Sequence, residues 1–137
     1  MARYLALDVG SKRIGVALSD ALNITAQGLD TIEQKNQKET FRKIKGLIEE
    51  HDVAKIIVGL PLNMNGTKGD RAKLIEEFAG LLERELSVDV ELLDERLTTL
   101  EGERLLIKAD VSRKKRKGVI DKIAAQLILQ TYLDSNV

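Results

Sequence analysis

Two short apolar runs separated by only four residues constrain this chain most. "YLALDV" (Tyr4 to Val9) and "IGVAL" (Ile14 to Leu18) each have the length and apolar character of a buried strand. The intervening "GSKR" is a hairpin-length turn containing glycine, so the two runs are expected to pair antiparallel. Ile24 to Ile32 is expected to add a third strand, broken or bulged near Gly28. The chain thus opens as an antiparallel meander.

Its later part alternates. In "ETFRKIKGLIEEHD", Phe41, Ile44, Leu47 and Ile48 recur at helical spacing. "KIIVG" (Lys55 to Gly59) is a β-branched run ending in glycine and reads as a central parallel strand. "LPLNMNGTKG" is loop chemistry, with one Pro, two Asn and two Gly in ten residues. A helix is expected over Asp70 to Leu86, with Leu74, Phe78, Leu81 and Leu82 on its buried face. "VDVELLDE" reads as the last strand. Thr98 and Glu101 have capping-box spacing, which predicts a helix from Thr98 to about Ile107. A polar loop is expected next, followed by a final helix over about Val119 to Leu133 with Ile120, Ile123, Ala124, Leu127 and Ile128 on one stripe. The order βββ-α-β-α-β-α-α predicts an α/β fold. Its mixed central sheet has three antiparallel N-terminal strands plus parallel strands and is flanked by helices, in a single domain over residues 1–137.

Lys plus Arg and Asp plus Glu number 22 each, which excludes a uniformly basic nucleic-acid binder but not a local basic patch. There is no cysteine and one histidine, His51. A metal site would therefore be built from oxygen ligands, which suit Mg²⁺ or Mn²⁺ better than zinc. No apolar run approaches the roughly 20 residues of a membrane span, and "MARYLALDVG" lacks the core of a signal peptide. The expectation is a cytoplasmic protein with no membrane partner.

Acids stand where apolar patterns end. Asp8 closes the first strand, Asp94 and Glu95 close the last, and Asp121 lies one turn into the final helix. Ligands of open α/β sheets collect at the carboxyl ends of strands. Asp121, Ala124, Ala125 and Ile128 form a helical ridge, small enough at the alanines for close approach to the sheet. Clustered carboxylates repel one another unless a cation compensates, and paired divalent ions can clamp both oxygens of a phosphodiester displacement. Each acid also has a structural reading, as a turn former or a complement to the helix dipole.

Basic residues lie beside these acids. Lys12 and Arg13 flank a glycine turn whose N–H groups can meet phosphate. The loop containing Asn63 is a candidate binding surface. Arg96 follows the acidic pair, either to hold a phosphate or to neutralise Asp94. "RKKRK" (Arg113, Lys114, Lys115, Arg116, Lys117) offers a docking patch for a polyanion. Aromatics are 3% of the chain, so recognition through backbone and shape is expected rather than base stacking.

"LALDVGSKRIGVALSD", "IIVGLPLNMNGTKG", "LLDERLTT" and "KGVIDKIAAQLIL" together resemble the signature blocks of the YqgF family, from about Tyr4 to Tyr132. A lone "DVG" block is shared with sugar kinases and Hsp70-type ATPases; four blocks in order are not. The resemblance implies an RNase H-like fold and a nuclease that removes extra 5′ sequence from precursor 16S rRNA. Proteins of this family have also been described as Holliday junction resolvases. It further implies that Asp8, Glu95 and Asp121 are the catalytic acids holding Mg²⁺ or Mn²⁺, that Asp94 is the reserve candidate, and that Arg96 and Thr98 lie near the site. The expected partner is precursor rRNA or a pre-ribosomal particle. Branched DNA is the alternative, and so is a non-catalytic RNA-binding role on the ribosome. The chain is expected to be a monomer or a homodimer, since symmetric cutting of a junction needs two sites.

Overall fold

The computed structural model describes residues 2–96 and 113–135; for 113–121 it describes the backbone alone. Five strands form one sheet: β1 (Arg3–Val9), β2 (Arg13–Ser19), β3 (Ala26–Glu33), β4 (Val53–Leu60) and β5 (Asp89–Asp94). Their order is β3-β2-β1-β4-β5. The first three strands pair antiparallel, whereas β4 and β5 run parallel to β1. The expected bulge falls after Gly28, between the pairs Val16–Leu29 and Ile14–Ile32, where β3 carries the extra residue. The third strand begins at Ala26, because Ile24 is exposed in the preceding turn.

Helix α1 (Gln37–His51) begins two residues earlier than its apolar spacing predicts. Asn36 caps it, its side-chain oxygen accepting the Glu39 N–H at 2.9 Å. Asp52 ends it in the left-handed region, donating its N–H to the Ile48 carbonyl. The Asp52 carbonyl then accepts the Arg3 N–H at 3.1 Å, so the C-terminus of α1 sits at the start of β1. Helix α2 (Asp70–Leu86) has the expected limits, but its buried stripe is Ala72, Ile75, Ala79 and Leu82. Leu74, expected inside, is 57% exposed.

The final helix, α3, spans Arg113–Ser135. The basic run Arg113–Lys117 therefore lies in its first turns, not in the expected loop. Lys and Arg are good helix formers, so their charge does not break the backbone pattern. The buried stripe is Ala125, Ile128, Leu129, Tyr132 and Leu133, rotated from the expected one. Of the expected stripe only Ile128 is fully buried; Ile123, Ala124 and Leu127 are half-buried, and the side chain of Ile120 lies outside the described residues. The helix expected over 98–107 lies outside them as well.

Period-two alternation divides the strands between two cores. Leu5, Leu7, Ile14, Val16, Ile56 and Val58 pack with α1 and α2. Ala6, Ala17 and Ile57 pack on the other face with α3. Among the described residues no helix is long and apolar enough to cross a membrane.

Candidate active site

The same alternation positions the acids. On β1, Tyr4 and Ala6 face α3, so Asp8 follows on that face. On β4, Ile57 faces α3, so Gly59 does too. On β5, Leu93 faces α3, and Glu95 comes two residues later. The ladders align these positions: Leu7 pairs with Val58, one step before Asp8 and Gly59, and Gly59 pairs with Leu93. The Glu95 N–H donates to the Leu60 carbonyl at 3.1 Å, extending the ladder past β5.

Gly59 therefore lies between the two acids, and it has no side chain to separate them. A Cβ built there would stand 2.6 Å from Glu95 Cδ and Oε1, and 2.6 Å from Ile128 Cδ1. The space a side chain would take is filled by the Glu95 carboxyl, which hydrogen-bonds to Asp8. Burial, that hydrogen bond and the Asp8 charge push Glu95 up to about 9; the Arg71 charge opposes them. A hydrogen bond between two carboxyls needs one proton between them, so the pair carries a single negative charge when it is made.

Asp94 faces elsewhere. Its carboxylate meets Arg96 at 2.6 Å in an ion pair and also accepts the Arg96 backbone N–H at 3.0 Å. These bonds hold it below the usual carboxylate range. Arg96 thus neutralises Asp94, one of its two expected roles, and donates also to the Met64 carbonyl at 3.3 Å. That contact ties the strand end to the glycine-rich loop. Asn63 braces this loop internally, donating to the Thr67 hydroxyl at 3.0 Å.

Lys12 is exposed in the β1–β2 turn, and Arg13 begins β2. Thr98 lies outside the described residues. So do the side chains of Asp121, Arg113, Lys114, Lys115, Arg116 and Lys117.

The course of α3 still locates position 121. Tyr132 packs edge-on to Tyr4 at 5.6 Å and accepts from Lys55 at 3.2 Å, near the starts of β1 and β4. Ile128 lies over Gly59, near the end of β4. Further back along the helix, Lys122 crosses Gly28 and reaches Asp30 at 3.9 Å. The helix therefore runs antiparallel to β1 and β4, and its earlier turns lie toward the pole that holds Asp8.

Sequence reasoning missed Arg71. It stands in the first turn of α2 and donates to the Val9 carbonyl, next to Asp8. Its only signal was its place just after the Gly69-Asp70 helix start. Among the described residues no group of three His, Asp or Glu side chains could hold a metal ion; the structure brings two acids together. His51 lies at the other end of the sheet, on the last turn of α1.

A family model described as "RuvX: Holliday junction resolvase" matches residues 2–135. The chain belongs to the RuvX family. RuvX relatives of high identity include a protein of Halothermothrix orenii, 54% identical over 132 residues, covering 96% of this chain and 94% of the relative. A Bacillus thuringiensis protein is 55% identical over 135 residues, covering 97% and 98%. Both carry the name "Putative pre-16S rRNA nuclease".

Among solved structures, RuvC of Thermus thermophilus in complex with a Holliday junction substrate aligns with a TM-score of 0.60 at 12% identity, covering 98% of this chain and 95% of that one. The fowlpox virus resolvase bound to junction DNA aligns at 0.57 and 14%, covering 98% and 99%. At such identities these likenesses speak for the fold alone. This RuvX chain has the RNase H-like α/β fold.

Proposed function

We propose that this protein is a metal-dependent endonuclease of the cytoplasm that hydrolyses phosphodiester bonds in structured RNA. Its proposed substrate is the 5′ region of precursor 16S rRNA, free or within a pre-ribosomal particle. The observation that carries the reading is the Asp8–Glu95 carboxyl pair, closed over Gly59 at the strand ends. Its family context is a chain more than half identical to proteins named for that activity.

The donor set fits a hard divalent cation. Two carboxyls in contact cannot both ionise without a compensating positive charge, and Glu95 is correspondingly pushed up to about 9. No thiolate exists in the chain, and its one imidazole is at the far end of the sheet. Asp8 and Glu95 would hold Mg²⁺ or Mn²⁺, with Asp121 of α3 as the proposed third ligand. A divalent ion bound there supplies an acidified water and charge stabilisation for phosphoryl oxygens.

The remaining roles belong to the chain itself. The ladders β1–β4 and β4–β5 fix the separation of the two acids. Arg71 holds the Val9 carbonyl and moderates the local negative charge. Lys12, Arg13, Asn63 and the basic start of α3 are proposed to dock backbone phosphates, and the ion pair with Arg96 occupies the Asp94 carboxylate beside the Asp8–Glu95 pair.

Purified protein should cut precursor 16S rRNA with Mg²⁺ or Mn²⁺ and stop on addition of EDTA. Full cleavage by Asp8→Asn would remove the assignment. A second reading, resolution of four-way DNA, is favoured by the family description and by the fold shared with RuvC. It requires a dimer with two sites, so a monomer in sedimentation that ignores junctions at low salt would discard it.

A further inference from the structure

Where two neighbouring strands send their connections to opposite sides, a crevice opens outside their carboxyl ends, and open α/β sheets take ligands there. In this sheet those strands are β1 and β4. The chain passes from β1 to β2 on one side, and from β4 through α2 to β5 on the other. Asp8 and Glu95 meet over Gly59 on the α3 face of the crevice.

Arg71 reaches the same crevice from the opposite face, for a reason written in the backbone. Residues of a strand turn their N–H and C=O groups alternately to its two neighbours. The Arg3 N–H goes to Asp52, just before β4, and the Gly10 N–H goes to Arg13 of β2. Val9, in step with Arg3, therefore turns its carbonyl toward β4. The last β1–β4 pair is Leu7 with Val58. Continued by two residues, that register sets Val9 beside Leu60, and the Val9 carbonyl would take the N–H of the residue after Leu60. That residue is Pro61, which has no N–H to give. Arg71, in the first turn of α2, donates to the Val9 carbonyl instead.

Replacing one missing donor does not require a full charge. Arg71 brings a fork of N–H groups, of which Val9 takes one. Among the described residues it makes no other hydrogen bond and no ion pair. Arg96, by contrast, is occupied by Asp94. Arg71 is also exposed, so an incoming anion can reach it. Its charge is felt at the acids, where it opposes the upward push on Glu95.

Helix α2 packs on the large-aliphatic face of the sheet, whereas both carboxyls lie on the α3 face. A phosphodiester entering the crevice therefore meets the acids on one side and a backbone-anchored guanidinium on the other. We propose that Arg71 is a catalytic residue of this site, donating to a non-bridging oxygen of the phosphate presented to Asp8 and Glu95. The identity of the substrate rests on the nuclease reading; the capture of a phosphoryl oxygen by Arg71 does not. A planar fork held in place by a carbonyl suits phosphate, and its charge offsets the negative charge that builds on the phosphoryl oxygens.

The test reads the Arg71 side chain itself. The full chain carrying Asp8→Asn, ¹⁵N-labelled at arginine, is titrated with inorganic phosphate and with a short structured RNA. The Arg71 Nε–H signal, identified by its loss in Arg71→Lys, should shift saturably with both. With Asp8 restored, Arg71→Gln should lower kcat/KM for RNA cleavage about 100-fold, mostly through kcat. Arg71→Lys keeps the charge and a donor for Val9 but not the fork; it should lose about tenfold while melting with the natural protein. A residue that only stands in for the donor missing at Pro61 behaves otherwise. Its Nε–H would ignore phosphate, Arg71→Lys would cut at the natural rate, and any loss of cleavage in Arg71→Gln would vanish at a temperature where that variant is fully folded. Each of these results overturns the inference, and should Arg71→Gln not fold, Arg71→Lys and the titration decide it. A phosphate-responsive Arg71 in a protein that never cuts RNA upholds the phosphate contact and removes the nuclease reading. Full-rate cleavage by Arg71→Gln keeps the nuclease and removes Arg71 from its chemistry.

Discussion

The face of the sheet toward α1 and α2 is filled by Leu5, Leu7, Ile14, Val16, Ile56 and Val58. The face toward α3 carries Ala6, Ala17, Gly28 and Gly59 beside Ile57, and the helix meets it with Ala125 as well as with Ile128, Leu129 and Tyr132. Large aliphatics bury apolar area and hold the fold. Small residues let a helix approach closely and, at the strand ends, leave room for two carboxyls to meet. The larger cluster supplies stability; the small-residue face spends part of it to hold charge.

The largest expected effect separates these roles. Asp8→Asn should lower cleavage about 10³-fold, roughly 4 kcal/mol of barrier, and yet relieve the folded state. Burial, the bond to Asp8 and the Asp8 charge raise Glu95 from 4.5 to about 9. Between those values the folded protein keeps a proton that the unfolded chain releases. The folded state then binds more protons, so this group's contribution to stability is present below about pH 4.5 and is lost as pH climbs toward 9. Denaturant melts of the two proteins across pH 5 to 8.5 should show a shallower fall in the variant, and Mn²⁺ should flatten the fall only in the natural protein. Parallel curves without metal would mean that Asp8 does not govern Glu95.

Leu7→Ala, one residue away on the opposite face, should do the reverse. Leu7 is fully buried, and its truncation should cost about 3 kcal/mol of stability. At a temperature where the variant remains folded, its pH profile of cleavage should be unchanged. A profile shifted by more than about half a pH unit would show that the two faces are coupled and that the division is too clean.

Much of this architecture is readable before any coordinates. The meander, the parallel β4 and the limits of α2 follow from apolar runs and their punctuation. The choice between Asp94 and Glu95 was not readable in β5 itself, because Leu92 and Leu93 are adjacent apolar residues and mask the alternation. Only the pairing of Gly59 with Leu93 assigns the faces. Leu74 misled because bulk was favoured over the alanines that α2 actually buries. The helical start at Arg113 was missed because a charge run carries no apolar period, although its residues favour helix. Arg71 was invisible because its partner, the Val9 carbonyl, is 62 residues away.

Gly59→Ala probes the small-residue face directly. The added methyl would meet Glu95 and Ile128 at 2.6 Å, closer than real contacts allow, and overpacking of this kind should cost about 2 kcal/mol. Pairing it with Ile128→Val should recover stability by freeing Cδ1 space while leaving the Glu95 clash. Recovered melting temperature without recovered cleavage would show that the glycine serves the acids. Recovery of both would reduce Gly59 to a packing residue.

The smallest expected effect concerns how α3 holds the outer strand. On β3 itself the residues that meet the helix, Ala26 and Gly28, are small, and hydrogen bonds do part of the holding. Gln130 accepts the Ala26 N–H at 3.0 Å and donates to the Ile24 carbonyl at 2.9 Å, while Gln126 donates to the Ala26 carbonyl at 3.4 Å. These amides occupy backbone groups that β3, an edge strand, would otherwise offer to another chain. Gln130→Ala should cost about 1 kcal/mol, seen as faster hydrogen exchange at Ala26 with little change at the amides of β1 and β4. Exchange accelerated throughout the sheet would mean that the glutamine supports the whole fold; exchange unchanged at Ala26 would mean that apolar packing alone keeps β3 in place.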